Sequence, residues 1–356
     1  DCLRIGIDNN LSLESKRREI QKSKYGVSEN RARLLPQISA VAGYSNNFDP
    51  PVSVTDGSSY GVPYNITQTL QHSANAGLEM QMPLFNQTLY TSMSIAKVVE
   101  EISRLSYGKA REDIILQISK MYYLGQVTAE QIVLIKANIT RLEELRDITR
   151  AFFDNGMSME VDLKRVNINL ENLKVQYDNA QAMMKQQLNM LKYIMDYPAE
   201  KEIALTPVNT DSITTVALTG LSENLYELQL TQSQLELAER QKRMITNGYI
   251  PSLSLTGNWR YAAYTDKGYH WFHSGPSNHW FRSYGLGLTL RIPIFDGLDK
   301  TYKIRKAMID IENRKLAWED TRKNLQTQYL NAVNDLMNNQ RNFKKQKDNY
   351  LLAEDV

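Results

Sequence analysis

Hydrophobic and polar positions along this chain follow two rhythms, and the switch between them recurs. From 283 to 292 the chain alternates strictly. Tyr284, Leu286, Leu288, Leu290 and Ile292 fall on one face; Ser283, Gly285, Gly287, Thr289 and Arg291 fall on the other. A period of two over ten residues predicts a strand with one apolar and one polar face. Pro293 ends it, because proline has no N–H to give to a ladder. From 298 to 356 there is neither proline nor glycine, and the rhythm becomes helical.

Three other stretches alternate in the same way. Ala76, Leu78, Met80 and Met82 oppose Asn75, Gly77, Glu79 and Gln81, with Pro83-Leu84-Phe85 closing the run. Leu253, Leu255, Gly257, Trp259 and Tyr261 oppose Ser254, Thr256, Asn258 and Arg260, after Pro251. Ile38, Ala40, Ala42 and Tyr44 form a weaker run after Pro36, because Val41 breaks its polar side. The predicted strands are 37–45, 74–83, 252–262 and 283–293, with loops over 46–72 and 262–282.

Between them the period is helical over 9–34, 88–153, 158–195, 221–247 and 298–356. The stretch 88–153 lacks proline and is interrupted only by Gly108 and Gly125, so it predicts a helix, or a nearly continuous pair, about 100 Å long. Asp154-Asn155-Gly156 supplies a turn, and Ser158 is the expected N-cap of the returning helix. Helices this long exceed a compact core, so coiled-coil packing is expected.

The order helix, proline, strand, loop, strand, proline, long helix occurs twice. Pro36-Gln-Ile-Ser-Ala aligns with Pro251-Ser-Leu-Ser-Leu, and Pro83-Leu-Phe-Asn-Gln with Pro293-Ile-Phe-Asp-Gly. The expected organisation is a first repeat over 1–206, a connector over 207–220 and a second repeat over 221–356. A counterpart of the Asn155-Gly156 turn and its returning helix is expected beyond Val356, and a few residues plus a signal peptide before Asp1.

Composition narrows the function. A formal charge of +2 over 356 residues gives no sign of a nucleic-acid partner. The single cysteine, Cys2, excludes an internal disulfide and a CxxC motif. Leu3, Ile5, Ile7 and Leu11 continue an ordinary helix from it, so it is not expected to carry a lipid. No apolar run approaches the ~18 residues of a membrane-spanning helix, so any insertion must use strands. The 20 tyrosines and 4 tryptophans suit an interfacial belt, for which Trp259, Tyr261, Tyr264, Trp280, Phe281 and Tyr284 are the candidates. His270, His273 and His279 lie close together without a cysteine, and they read as loop histidines rather than a metal site. No nucleophile set, phosphate loop or HExxH occurs. Neither an enzyme nor a cofactor is expected.

Four strands with a lipid-like face cannot close a barrel, and hydrocarbon does not tolerate open edges. Copies of the chain must therefore join. Leu78, Met80, Leu255, Leu286, Leu288 and Leu290 are expected to face lipid. Glu79, Gln81, Asn258, Arg260, Thr289 and Arg291 are expected to line a wet lumen.

The layout resembles the outer-membrane efflux protein (TolC) family. The resemblance rests on Pro36 and Pro251 before strands, and on the motifs that begin at Pro83 and Pro293. It rests also on Asn155-Gly-Met-Ser-Met-Glu-Val-Asp-Leu163, which is similar to the family's helix-tip signature G-x-x-S-x-x-D-[VL]-L, and on Leu188-Asn-Met-Leu191 before Pro198. Gln87 departs from the family's D-G, and Lys164-Arg165 stand where small or polar residues are common. The resemblance implies a mixed α + β fold. In it a homotrimer closes a twelve-strand outer-membrane barrel, continuous with a coiled-coil α-helical tunnel in the periplasm. It also implies passive export through a periplasmic adaptor and an inner-membrane pump, with the tip residues Asn155, Gly156, Ser158 and Asp162 as docking candidates. The competing expectation is a soluble coiled-coil scaffold without transport activity.

Overall fold

The computed structural model describes residues 1–50, 52–56, 61, 63–68, 70–207, 222, 224–265 and 280–354. Its helices are α1 (Cys2–Asn9), α2 (Leu11–Ala32), α3 (Gln87–Asp154), α4 (Glu160–Met195), α5 (Tyr226–Asn247) and α6 (Asp299–Glu354). Its strands are β1 (Gln37–Asn46), β2 (Val52–Asp56), β3 (Tyr64–Gln68), β4 (His72–Phe85), β5 (Ser252–Thr265) and β6 (Trp280–Arg291). They form two compact units, one of 1–22, 101–232 and 318–356, the other of 23–100 and 233–317. The expected connector lies almost wholly outside the described residues, as do His270, His273 and His279.

The second unit holds a four-stranded antiparallel sheet in the order β1-β4-β5-β6. Its register answers the alternation directly. Ala40, Leu78, Trp259 and Tyr284 pair in one row, and Met82, Leu255 and Leu288 in another. Ser39, Glu79, Asn258 and Gly285 form a row of opposite parity. Paired residues share a face, so the apolar positions of all four strands meet on one side. A slip of one residue in any pair would break this agreement.

Proline falls at one end of the sheet. β1 begins just after Pro36 and β5 just after Pro251, while β6 stops two residues before Pro293. Pro83 does not end β4 as expected. It lies inside the strand opposite Ser254, where the register shifts before Phe85, so the ladder tolerates its missing N–H at an irregularity. The stretch 46–72, expected as a loop, contains the β2–β3 hairpin.

The helices entering the sheet end alike. α2 and α5 each stop four residues before their proline and tighten over the last turn. Leu34 and Leu35 donate to Arg31 and Ala32, and Tyr249 and Ile250 donate to Thr246 and Asn247. The helices leaving the sheet start differently. Asn86 caps α3 through its side-chain oxygen, which accepts the N–H groups of Thr88 and Leu89 at 3.0 and 3.2 Å. Before α6, Gly297 and Leu298 both take a φ of +67°. The left-handed turn that needs glycine is absent from the first junction, where Gln87 is already helical.

In the same unit, polar contacts tie α5 to its neighbours. Asn247 Nδ2 donates to Thr91 Oγ1 of α3 at 2.6 Å, and Arg240 reaches Ser94. On the other side, Arg314 of α6 donates to Gln234 at 3.3 Å.

The first unit is built around Leu13, Ile114, Ile118, Leu191, Ile194 and Met195, a cluster contributed by α2, α3 and α4. The expected helix over 9–34 is broken at Asn10. That residue caps α2, accepting the Leu13 N–H at 3.1 Å, and donates to the Ile194 carbonyl at 2.7 Å. One side chain thereby closes a helix start and satisfies an orphan carbonyl at the end of α4. The helix over 88–153 is continuous, and its glycines are seats rather than breaks. A Cβ at Gly108 would lie 2.4 Å from the Tyr226 ring, and one at Gly125 would lie 2.8 Å from Leu205.

Candidate functional site

The polar face of the sheet alternates glycines with polar side chains. Gly43 sits against the Asn75 side chain, Gly77 opposite Arg260, Gly285 against Asn258 and Gly287 against Thr256. Each glycine leaves room for a polar side chain from the next strand. Thr256 Oγ1 donates to the Gly287 carbonyl at 3.3 Å, and Ser254 Oγ donates to the Thr289 carbonyl at 3.5 Å. Glu79 and Arg260 form an ion pair at 2.6 Å. A hollow of about 640 Å³ is lined by residues of all four strands, with Glu79, Gln81 and Asn258 among them. A second, of about 360 Å³, lies toward the helix end and includes Gln81, Thr289 and Arg291. The structure thus brings all six expected lumen residues onto one face.

The six expected lipid-facing leucines and methionines share the opposite face. Gly257 makes room there for Met80 and Leu286, whose atoms would lie 3.2 and 3.1 Å from an added Cβ. On β6 this face is open: Leu286, Leu288 and Leu290 are 78%, 67% and 61% exposed. A contiguous apolar row of this extent marks a surface made for lipid or another protein. β1 and β6 are the outer strands, and neither pairs on its far side among the described residues.

The aromatic belt divides between the faces. Trp259, Tyr261, Trp280 and Tyr284 have the parity of the apolar face, with the Trp259 and Tyr261 rings edge to face at 5.6 Å. Tyr264 and Phe281 have the other parity, because the alternation continues through 265 on β5 and from 280 on β6. Arg282 also belongs to the apolar face, with its guanidinium 5.7 Å from the centroid of the Tyr284 ring. At the same end, the Tyr44 hydroxyl and His72 Nδ1 share a hydrogen bond of 2.8 Å.

The helix tip belongs to the other unit, so Asn155, Gly156, Ser158 and Asp162 are not gathered with the sheet residues. Gly156 has φ +71°. Its N–H donates to the Phe153 carbonyl at 2.9 Å, while the Met157 N–H donates to Phe152 at 2.8 Å. This is a Schellman closure with glycine at the left-handed position. Asn155 Nδ2 donates to the Ala151 carbonyl at 2.8 Å. Ser158 is not the cap of α4. Met159 holds that place without a side-chain bond, and the Ser158 hydroxyl instead donates to the Thr149 carbonyl at 3.4 Å. Glu160 and Asp162 supply negative charge to the first turn of α4, where the macrodipole favours it. The hydrogen bond from Lys164 holds the Glu160 carboxyl below the usual carboxylate range. Around the turn, Phe152, Met157, Met159 and Val161 are exposed.

Among the described residues there is no cluster of metal-ligating side chains, and no helix is long and apolar enough to cross a membrane.

Outer membrane protein TolC of Vibrio cholerae is 20% identical over 319 residues, covering 87% of this chain and 66% of that protein. The probable efflux pump outer membrane protein TtgC of Pseudomonas putida is 24% identical over 226 residues, covering 59% and 46%. The chain therefore spans between about half and two thirds of the length of these relatives. The crystal structure of a membrane protein from Pseudomonas aeruginosa superposes with a TM-score of 0.76 at 18% identity, covering 97% of this chain and 77% of the other. The outer membrane efflux protein family model matches residues 5–195, and the chain belongs to that family of outer-membrane efflux channels.

Proposed function

We propose that this chain is one wall segment of a passive outer-membrane export duct. Three copies close a twelve-strand barrel, with Leu78, Met80, Leu255, Leu286, Leu288 and Leu290 toward lipid. Glu79, Gln81, Asn258, Arg260, Thr289 and Arg291 face the lumen. The long helices continue the duct into the periplasm. The tip at Asn155, Gly156, Ser158 and Asp162 meets a periplasmic adaptor and an inner-membrane pump, as in a tripartite efflux or type I secretion system. The matching helix-to-strand closures at Pro36 and Pro251 support a duplicated architecture.

One observation carries this reading. Four strands present a single apolar face and, among the described residues, leave β1 and β6 unpaired on their far sides. In hydrocarbon every backbone N–H and C=O needs a partner, and only a closed ring supplies one for every strand. Four strands are too few to form such a ring alone.

The test is extraction followed by reconstitution. A duct requires detergent, purifies as a compact trimer and gives single-channel steps in a planar bilayer. A chain that purifies without detergent and gives no conductance is the coiled-coil scaffold instead.

A further inference from the structure

The smaller hollow, at the end of the polar face nearest the helices, has a one-sided charge. Its charged lining residues are Arg33 and Arg291, and no aspartate or glutamate lines it. Gln37, Gln81, Asn86 and Thr289 add amides and a hydroxyl to its lining, beside apolar side chains that include Phe85 and Leu89. The two arginines reach this place from distant parts of the chain. Arg33 follows the end of α2, and Arg291 is the last residue of β6.

Arg291 stands apart from the other arginines of this region. Arg260, at mid-sheet, is neutralised by Glu79 at 2.6 Å. Arg33 holds Glu29 at 2.8 Å, and Glu29 is not part of the hollow. Arg291 has no ion pair or side-chain hydrogen bond among the described residues. A guanidinium fork with open donors matches carboxylate and phosphate oxygens in two-point geometry.

We propose that this hollow is an anion-selecting station, taking small solutes that carry carboxylate or phosphate oxygens, with Arg291 as the primary contact and Arg33 as the second. The inference rests on the duct reading above. Three protomers would set six arginines at one level of the lumen, the three copies of Arg291 uncompensated and the three of Arg33 each paired with Glu29. A low-dielectric wall lined by one sign of charge focuses the potential and raises the local concentration of the opposite ion.

Reversal potentials in a potassium chloride gradient across a planar bilayer, with citrate as the multivalent probe, test the proposal. The wild-type duct passes chloride in preference to potassium, and citrate reduces the current in a concentration-dependent way. In Arg291→Gln the preference falls by about threefold, the change for a loss of roughly one kT of local potential. Arg33→Gln/Arg291→Gln lowers it further and abolishes the citrate effect. Lys345→Gln/Lys347→Gln removes the same charge from the far part of α6 and leaves the reversal potential unchanged. Conductance with no anion preference, or a preference that survives the double arginine substitution, overturns this proposal and leaves the duct standing. Absence of any conductance in the wild type overturns the duct itself.

Discussion

Arg260 on β5 donates from Nη2 to Glu79 Oε1 on β4 at 2.6 Å, although the residue directly opposite Arg260 is Gly77. The pair is diagonal, and the glycine clears its path. Both side chains remain more than a third exposed, so screening keeps the pair's contribution to stability within about 1 kcal/mol. Its larger effect is on charge. If the polar face lines the proposed duct, Glu79→Gln leaves Arg260 uncompensated and shifts ion preference toward anions, while Arg260→Gln shifts it toward cations. Reversal potentials of the two variants check the opposite signs, and a double-mutant cycle in urea checks the small coupling.

Gly77 and Gly257 occupy opposite faces of the central strand pair and respond differently to a methyl group. A Cβ at Gly77 would lie 2.4 Å from the Trp259 carbonyl and 2.8 Å from the Arg260 Cα, both backbone atoms. A Cβ at Gly257 would meet Met80 and Leu286 side chains at 3.2 and 3.1 Å. Gly77→Ala therefore forces β4 and β5 apart, at a cost of about 1–3 kcal/mol, whereas Gly257→Ala is absorbed by rotamer shifts. The urea midpoint of each purified variant separates them.

The two-faced sheet was legible because strand parity is rigid: once Leu288 and Thr289 are assigned to opposite faces, every residue of the strand follows. The extent of each strand was not. Turn-forming residues in 46–72 hid the β2–β3 hairpin, and β6 begins at Trp280, earlier than the alternation of leucines implies. The break at Asn10 was invisible, because its reason is the Ile194 carbonyl, distant in sequence. Gly108 and Gly125 read as interruptions, since a sequence does not show Tyr226 and Leu205 lying on them. At the tip, the left-handed glycine was readable from Asn155-Gly156, but Ser158 was drawn away from capping by the carbonyl of Thr149.

Leu288 and Thr289 are neighbours on β6 with opposite parity, and both are exposed in the single chain. If the apolar face meets hydrocarbon, Leu288→Arg costs about 2–4 kcal/mol near the bilayer midplane, while Thr289→Arg is tolerated. Recovery of assembled trimer from membranes is the measurement. Equal recovery of both variants reverses the assignment of faces.

Asp296 follows Pro293 at the entry to α6 and is coupled to Lys300. The Lys300 side chain approaches the carboxylate at 3.1 Å and its backbone N–H donates at 3.3 Å. The side-chain hydrogen bond holds the carboxyl below its ordinary range, against the smaller opposing effect of burial. A carboxyl lowered in the fold stabilises it above its unfolded value, near pH 3.9, and that stability is lost as pH falls through the lower folded value. Asp296→Asn therefore lowers the unfolding midpoint at neutral pH, and the gap from wild type closes as the solution is acidified below about pH 4. A gap that persists at low pH removes Lys300 as its cause.

Gly156 isolates backbone strain from packing at the proposed docking tip. Its φ is +71°, and an added Cβ would meet nothing within 4 Å. Gly156→Ala therefore costs only the left-handed penalty of an L-residue, about 1–2 kcal/mol. Gly156→Asn recovers part of it, because asparagine tolerates that region. Local loss need not unfold the chain, whose buried cluster around Leu13 and Ile118 lies elsewhere in the same unit. The expected result is faster amide exchange confined to the tip around 152–162 in the alanine variant, with an unchanged global midpoint and partial restoration by asparagine. In cells, the same ranking of glycine, asparagine and alanine in adaptor capture by crosslinking connects the turn's geometry to docking. An alanine variant with wild-type exchange at the tip removes the left-handed turn as the feature that glycine supplies.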